Sequence, residues 1–209
     1  MNFLSEYFPE LTEEQIEKFN FLFPIYKEWN QKINLISRKD IDNFNVNHLL
    51  HSLAIAKVIN FKKGTKILDV GTGGGFPGIP LAIFFPDCHF HLVDSIGKKI
   101  GVVQDISDKL NLKNVSSEKI RIEDHNEKYN FIVSRAVMRL PEFWSLVEKN
   151  ILSKNQNSLK NGVLYLKGGD IDEEIQSLNS KVKIFEISNF FKEPYFETKK
   201  VVHIYKDKN

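Results

Sequence analysis

Lys66-Ile-Leu-Asp-Val-Gly-Thr-Gly-Gly-Gly-Phe-Pro-Gly78 is the stretch that decides the fold. A short apolar run enters a glycine-rich turn, and a helix is predicted to follow. Gly73, Gly75 and Gly78 fit G-x-G-x-x-G, with Gly71 just ahead of them. Glycine tolerates positive φ and carries no Cβ, so such a turn can lie directly against a ligand. The glycine pattern alone is a weak signal. Two acids sharpen it. Asp69 sits inside the end of the first run, and a second run, His89-Phe-His-Leu-Val-Asp94, closes on an acid about 20 residues later, where nucleotide-binding βαβ units grip a ribose hydroxyl. A phosphate-binding P-loop requires Lys-Ser/Thr after its last glycine, and Ile79-Pro80 rules that out. A bare strand–helix turn needs neither a run of glycines nor an acid at each strand end.

Working outward, the pattern alternates strand and helix. Strands are expected at 66–70, 90–94, within 115–122, at 129–134 and at 162–167, with a closing pair at 183–187 and 201–205. Helices are expected from Pro77 to about 85, over 98–110, over 141–150, and from Asp170 to about 179. Near-continuous apolar strands suit a mostly parallel sheet covered by helices on both faces. Ahead of it, Thr12 and Gln15 form a capping box for a helix over 12–30, with Ile16, Phe19, Leu22, Phe23, Tyr26 and Trp29 at helical spacing. Pro24 lies inside that run and is expected to kink or split it. A second helix is expected over 46–59. Residues 1–60 thus read as a helical cap, and 61–209 as an α/β core joined to it in one compact unit.

Ligands of such sheets bind at the carboxyl ends of the strands, near the point where the strand order reverses. Asp69 and Gly71, Asp94, Glu123, Arg135 and Lys167 follow five successive strands, so they are expected to converge on one site.

Composition bounds the function. The 209 residues are 42% hydrophobic with 17 phenylalanines, enough for a full core. One cysteine, Cys88, rules out an internal disulfide and points to a reducing compartment. The N-terminus lacks a signal-peptide pattern, and no apolar run is long enough to span a membrane, so a cytoplasmic protein is expected. Net charge is +2, and the middle section, 61–140, is the most basic at +3, with 12 basic against 9 acidic groups. That fits an anion-binding face and a mixed solvated surface equally well. The six histidines show no metal-ligand spacing, and no metal is expected. His89 and His91 share a strand face and read as structural.

An acid two residues before the first glycine, as in Asp69-Val-Gly71, resembles S-adenosylmethionine (SAM) methyltransferases more than nicotinamide enzymes. Further stretches narrow the resemblance: Glu28-Trp-Asn-Gln-Lys-Ile-Asn-Leu35, Gly75-Phe-Pro-Gly-Ile-Pro80, Leu92-Val-Asp-Ser95 with Gly97-Lys-Lys99, Arg121-Ile-Glu123, Ser134-Arg-Ala136 and Leu166-Lys-Gly168. Over nearly its whole length the chain resembles the small-subunit ribosomal RNA methyltransferase G family, also called glucose-inhibited division protein B. The resemblance implies a Rossmann-like SAM-dependent methyltransferase fold with a seven-stranded sheet, and N7 methylation of a guanine in the 530 loop of 16S rRNA, with rRNA or the 30S subunit as partner. It also implies cofactor contacts at Gly71, Phe76, Ile122, Glu123 and Arg135. Asn47-His48 stands where many members carry Arg-His, and Lys98-Lys99 where Lys-Arg is usual; lysine lacks the planar fork that arginine offers to phosphate.

The expected cofactor-binding set is therefore Asp69, Gly71, Gly73, Phe76, Asp94, Ser95, Ile122, Glu123 and Arg135. Asp69 either orients the glycine loop or meets the cofactor's amino group. Asp94 grips the ribose or caps the following helix. Arg135 ends an apolar strand, where a charge is costly unless paired; a ligand anion and a neighbouring acid are equal candidates. Lys98, Lys99, Arg139 and Lys167 are RNA-binding candidates. Guanine N7 has a free lone pair at neutral pH, so no general base is expected and catalysis reduces to positioning, which can supply roughly 7–11 kcal/mol. No Asn/Asp-Pro-Pro-Tyr/Phe motif follows the fourth strand, which argues against attack by an exocyclic base nitrogen. Two alternatives stand: a methyltransferase of the same fold acting on a small molecule or protein, and a non-catalytic SAM- or RNA-binding protein. A monomer is expected.

Overall fold

A computed structural model describes residues 3–37 and 40–207. Seven strands form one sheet in the order β3-β2-β1-β4-β5-β7-β6. They are β1 (Lys66–Val70), β2 (His89–Asp94), β3 (Val115–Lys119), β4 (Phe131–Arg135), β5 (Gly162–Gly168), β6 (Lys181–Glu186) and β7 (Lys199–Tyr205). The first five run parallel, and β7 lies antiparallel between β5 and β6. The order reverses between β1 and β4, so the ends of β1, β2 and β4 face one crevice.

Both faces of the sheet are buried. Ile67, Phe131, Val133, Leu164 and Leu166 enter one core, while Leu68, Ile132, Val163 and Tyr165 enter the other. The first core takes in α1 (Phe3–Tyr7), α2 (Glu13–Lys32), α3 (His51–Val58), α4 (Gly78–Phe84) and α5 (Gly97–Lys109); the second takes in α6 (Leu140–Val147) and residues flanking the short α7 (Asp172–Gln176). The helices before β1 thus share a core with the sheet, through Phe19, Leu22, Tyr26, Leu50 and Leu53.

Two expectations on those helices need correcting. Helix α2 runs unbroken through Pro24, with the Thr12/Gln15 capping box in place. Burial of Phe19 and Leu22 before the proline and Tyr26 after it holds both halves against one surface, which outweighs the lost backbone hydrogen bond. The helix expected over 46–59 is composite: a π turn, Asn45–Leu50, precedes α3. Single π turns are rare and are frequent at functional sites. The helix expected from Asp170 to 179 is shorter too, and Asp170 accepts the Asp172 N–H just ahead of it.

Candidate active site

The loop from Gly71 to Gly78 joins β1 to α4, with Gly71, Gly73 and Gly75 at φ of +67°, +59° and +104°. Beneath it lies Asp69, fully buried on the α4 side of the sheet. Its Oδ2 accepts Thr72 Oγ1–H at 2.6 Å and the Gly78 N–H at 2.8 Å. Gly78 has to be glycine for this approach: a Cβ there would lie 2.7 Å from both Asp69 Oδ2 and Leu92 Cγ. Of the two roles open for Asp69, every contact it makes serves the loop. Its Oδ1 is buried without a partner, and burial raises its pKa to about 7 against the pull of those two donors.

Asp94 ends β2 and holds the other side of the loop. Its Oδ2 accepts the Gly73 N–H at 3.0 Å and its Oδ1 accepts the Ile96 N–H at 2.9 Å, with Lys99 Nζ 3.8 Å from Oδ2. The cap position of α5 is Ile96, so Asp94 is not that helix's N-cap. Space beside Gly73 is open, since a Cβ there would meet nothing within 4 Å.

Arg135 ends β4. Its guanidinium lies 5.0 Å from the centre of the Phe76 ring and donates to His48 Nδ1 at 3.1 Å and to the Asn47 carbonyl at 3.4 Å. Among the described residues it forms no ion pair with a carboxylate, which removes one of its two candidate partners. Burial and the adjacent cation lower the His48 pKa to about 4, so this histidine is neutral at pH 7 and accepts from the arginine. Its Nε2 then carries the proton, buried and without an acceptor.

Phe76 is buried and stacks on Tyr26 of α2 at 4.6 Å. The Tyr26 hydroxyl donates to the Gly74 carbonyl at 2.7 Å. A helix far upstream in the chain therefore supports the glycine loop from below. Reading the sequence assigned Tyr26 only to an apolar stripe and passed over it as a site residue. The available signal was its hydroxyl, because a buried tyrosine needs a hydrogen-bond partner. His48 was legible as part of a helix and in the Asn47-His48 pair, but the π turn that brings it to Arg135 leaves no trace in hydrophobic spacing.

Ser95 is exposed at the end of β2, and Ile122 and Glu123 lie on a 3₁₀ turn after β3, the first buried and the second exposed. The basic candidates differ in availability. Lys98 and Arg139 are exposed, and Lys99 leans toward Asp94. Lys167 is taken up, with its ammonium 2.9 Å from Glu174 Oε2 and 3.2 Å from the Met138 carbonyl. Past Arg135 the chain turns through Ala136 at φ +48°, a conformation that non-glycine residues rarely adopt, and Val137 leans over Gly71.

This fold and the geometry at its strand ends define the chain as a Rossmann-like SAM-dependent methyltransferase in architecture. A SAM-dependent methyltransferase from Aquifex aeolicus superposes with a TM-score of 0.55 at 17% identity, covering 81% of this chain and 98% of that one. A precorrin-6y C5,15-methyltransferase from Geobacter metallireducens gives 0.56 at 12% identity, over 84% and 92%. Residues 15–199 match the family model of rRNA small subunit methyltransferase G, and the chain belongs to that family. Relatives called ribosomal RNA small subunit methyltransferase G include one from Cytophaga hutchinsonii, 54% identical over 98% of this chain and 99% of its own length. Another, from Christiangramia forsetii, is 55% identical over 98% and 96%. Among the described residues no helix is long and apolar enough to cross a membrane.

Proposed function

We propose that the chain methylates N7 of a guanine in the 530 loop of 16S rRNA, using S-adenosylmethionine, as a cytoplasmic monomer acting on rRNA or the 30S subunit. Bound at the loop, S-adenosylmethionine supplies an electrophilic methyl group on a sulfonium. The residues fit that group: the space beside Gly73 is open, and the half-buried Arg135 cation lies at the neighbouring strand end beside the orphaned His48 Nε2. In this reading Gly71 and Gly73 let the backbone approach the cofactor, Asp94 and Ser95 hold its ribose, and Ile122 and Glu123 flank its adenine. Asp69 acts one step removed, by fixing the loop.

Arg135 carries the reading. A cation held at a strand end with only a neutral histidine and a carbonyl for partners is an incomplete pair, and an anion completes it. The cofactor's carboxylate is that anion, with an RNA phosphate as the competing assignment. Arg135 does not donate to N7, because that would occupy the attacking lone pair. No proton has to leave N7, so the side chains orient and need no base. Lys98, Lys99 and Arg139 face the RNA, with Lys167 the least available of the four. Residues 1–60 act as a cap that stiffens the loop through Tyr26, over a core of 61–209. Reaching a base edge requires an exposed or unstacked nucleotide. The test is tritium transfer from labelled S-adenosylmethionine to 30S subunits lacking their own N7 methylation, with the modified base mapped. Label on a 530-loop guanine N7 is the expected result; label on another base or none would reject the assignment.

A further inference from the structure

On the sheet face opposite α4, three side chains from separate elements meet: His91 of β2, Glu118 of β3, and His125 just after the 3₁₀ turn that carries Ile122 and Glu123. Each offers a ligand atom within 4.8 Å of the others. His91 Nε2 and Glu118 Oε2 are 3.4 Å apart. That matches the edge of a tetrahedron around a cation with bonds of about 2.0–2.2 Å, roughly 3.4 Å. The two imidazole rings stack at 5.4 Å, which keeps His125 beside the other two ligands.

The hydrogen-bond partners accommodate one particular tautomer of each histidine. Ser116 Oγ lies 2.8 Å from His91 Nδ1 and 3.5 Å from the Phe90 carbonyl; with its proton on that carbonyl it accepts from His91 Nδ1–H. In that tautomer His91 turns the lone pair of Nε2 toward the Glu118 carboxylate. Likewise the Tyr129 hydroxyl donates to Glu127 Oε2 and accepts from His125 Nε2–H at 3.0 Å. Each histidine therefore has one nitrogen committed to a supporting partner and the other left as a donor pair, which is the usual arrangement around a metal-bound imidazole. A lone pair facing a carboxylate is repulsive until a cation or a proton lies between them. Glu127 adds a second negative charge behind Tyr129, and a cavity of about 360 Å³ opens beside His91, Ser116 and Tyr129.

We infer that His91, Glu118 and His125 form a binding site for a borderline divalent cation of the Zn²⁺ class. Two imidazoles and one carboxylate suit Zn²⁺, Co²⁺ or Cu²⁺ over the hard, oxygen-seeking Mg²⁺ and Ca²⁺. The cation clips β2 and β3 to the turn bearing Ile122 and Glu123, and so stiffens one wall of the proposed cofactor crevice. Spacing along the chain could not show this, because the ligands come from three elements.

Titration of tag-free protein with Co²⁺ near neutral pH tests the site. The expected result is a saturable visible absorption of four-coordinate Co²⁺ at one equivalent, abolished by Zn²⁺, together with a rise in the thermal midpoint on adding Zn²⁺. Position 91 is half-buried and 118 exposed, so His91→Ala and Glu118→Gln spare the core. His91→Ala is expected to weaken Co²⁺ binding about 100-fold, and Ser116→Ala by about tenfold, the scale of a lost supporting partner. Absence of a saturable band, or equal Co²⁺ affinity in folded His91→Ala, would overturn the proposal and leave a proton bridging His91 and Glu118.

Discussion

Asp94 Oδ2 accepts the Gly73 N–H at 3.0 Å, so the acid that ends β2 holds the loop that follows β1. Asp69 holds the same loop at Gly78 from the other side. Two carboxylates at adjacent strand ends thereby set the curvature of the loop between β1 and α4. Preorganisation of this kind lowers the ordering cost of binding.

The Asp94 contact predicts that Asp94→Ala weakens S-adenosylmethionine binding about tenfold or more, the scale of one lost hydrogen bond to a charged group. Calorimetric titration measures it. An affinity equal to wild type would remove Asp94 from the cofactor site.

Asp69 makes a prediction about pH. Its folded pKa, near 7, lies above the 3.8 of an unperturbed aspartate. Between those values the native state binds more protons than the unfolded chain, so this group's contribution to stability falls as pH rises from about 4 to 7 and stays low above. Asp69→Asn cannot titrate. Urea unfolding across that range should show the variant gaining on wild type by a few kcal/mol as pH rises. A constant difference would mean that Asp69 titrates normally.

Arg135 predicts a trade of stability against function. Arg135 is half-buried and makes no ion pair among the described residues, so an apolar side chain of similar length replaces it at little cost in stability. Arg135→Met should therefore stay close to wild-type stability in urea while losing methyl transfer. A large drop in stability would show that its contacts to Phe76, His48 and Asn47 are chiefly structural.

Tyr26 tests the support from α2. Tyr26→Phe keeps the stack on Phe76 and leaves the Gly74 carbonyl unpaired, which costs about 1–3 kcal/mol of stability. The loop loses its prop, so KM for S-adenosylmethionine should rise more than kcat falls. Unchanged KM would confine Tyr26 to packing.

Arg139, exposed at the N-terminal end of α6, separates RNA from cofactor. Arg139→Ala should leave S-adenosylmethionine affinity intact and reduce methylation of 30S subunits. Normal methylation would take it out of the RNA surface.

Much of this molecule was legible from local pattern. The glycine run, the acids at 69 and 94 and the alternation of apolar strands with amphipathic helices each depend on residues a few positions apart, where propensity and period act directly. Those local rules were enough for the mostly parallel sheet, for the Thr12/Gln15 capping box and for the crevice at the strand ends. They failed where distant packing outweighs local preference. Helix α2 passes through Pro24 because its neighbours on both sides are buried, and a π turn at Asn45–Leu50 replaces regular helix where His48 meets Arg135. The partners of charged groups were equally hidden. Whether Arg135 had an acid beside it and whether His91 and His125 were neighbours depended on which strands and turns fold together, and contacts across 34 to 88 residues leave no period in the chain. Sequence alone thus determined the class of fold and the gathering of Asp69, Gly71, Asp94 and Arg135 at one end of the sheet, because both follow from short-range periodicity and the needs of backbone hydrogen bonding. Tertiary structure decided which of the candidate side chains face each other with open valences, because that depends on burial and distance, which only the packed molecule has.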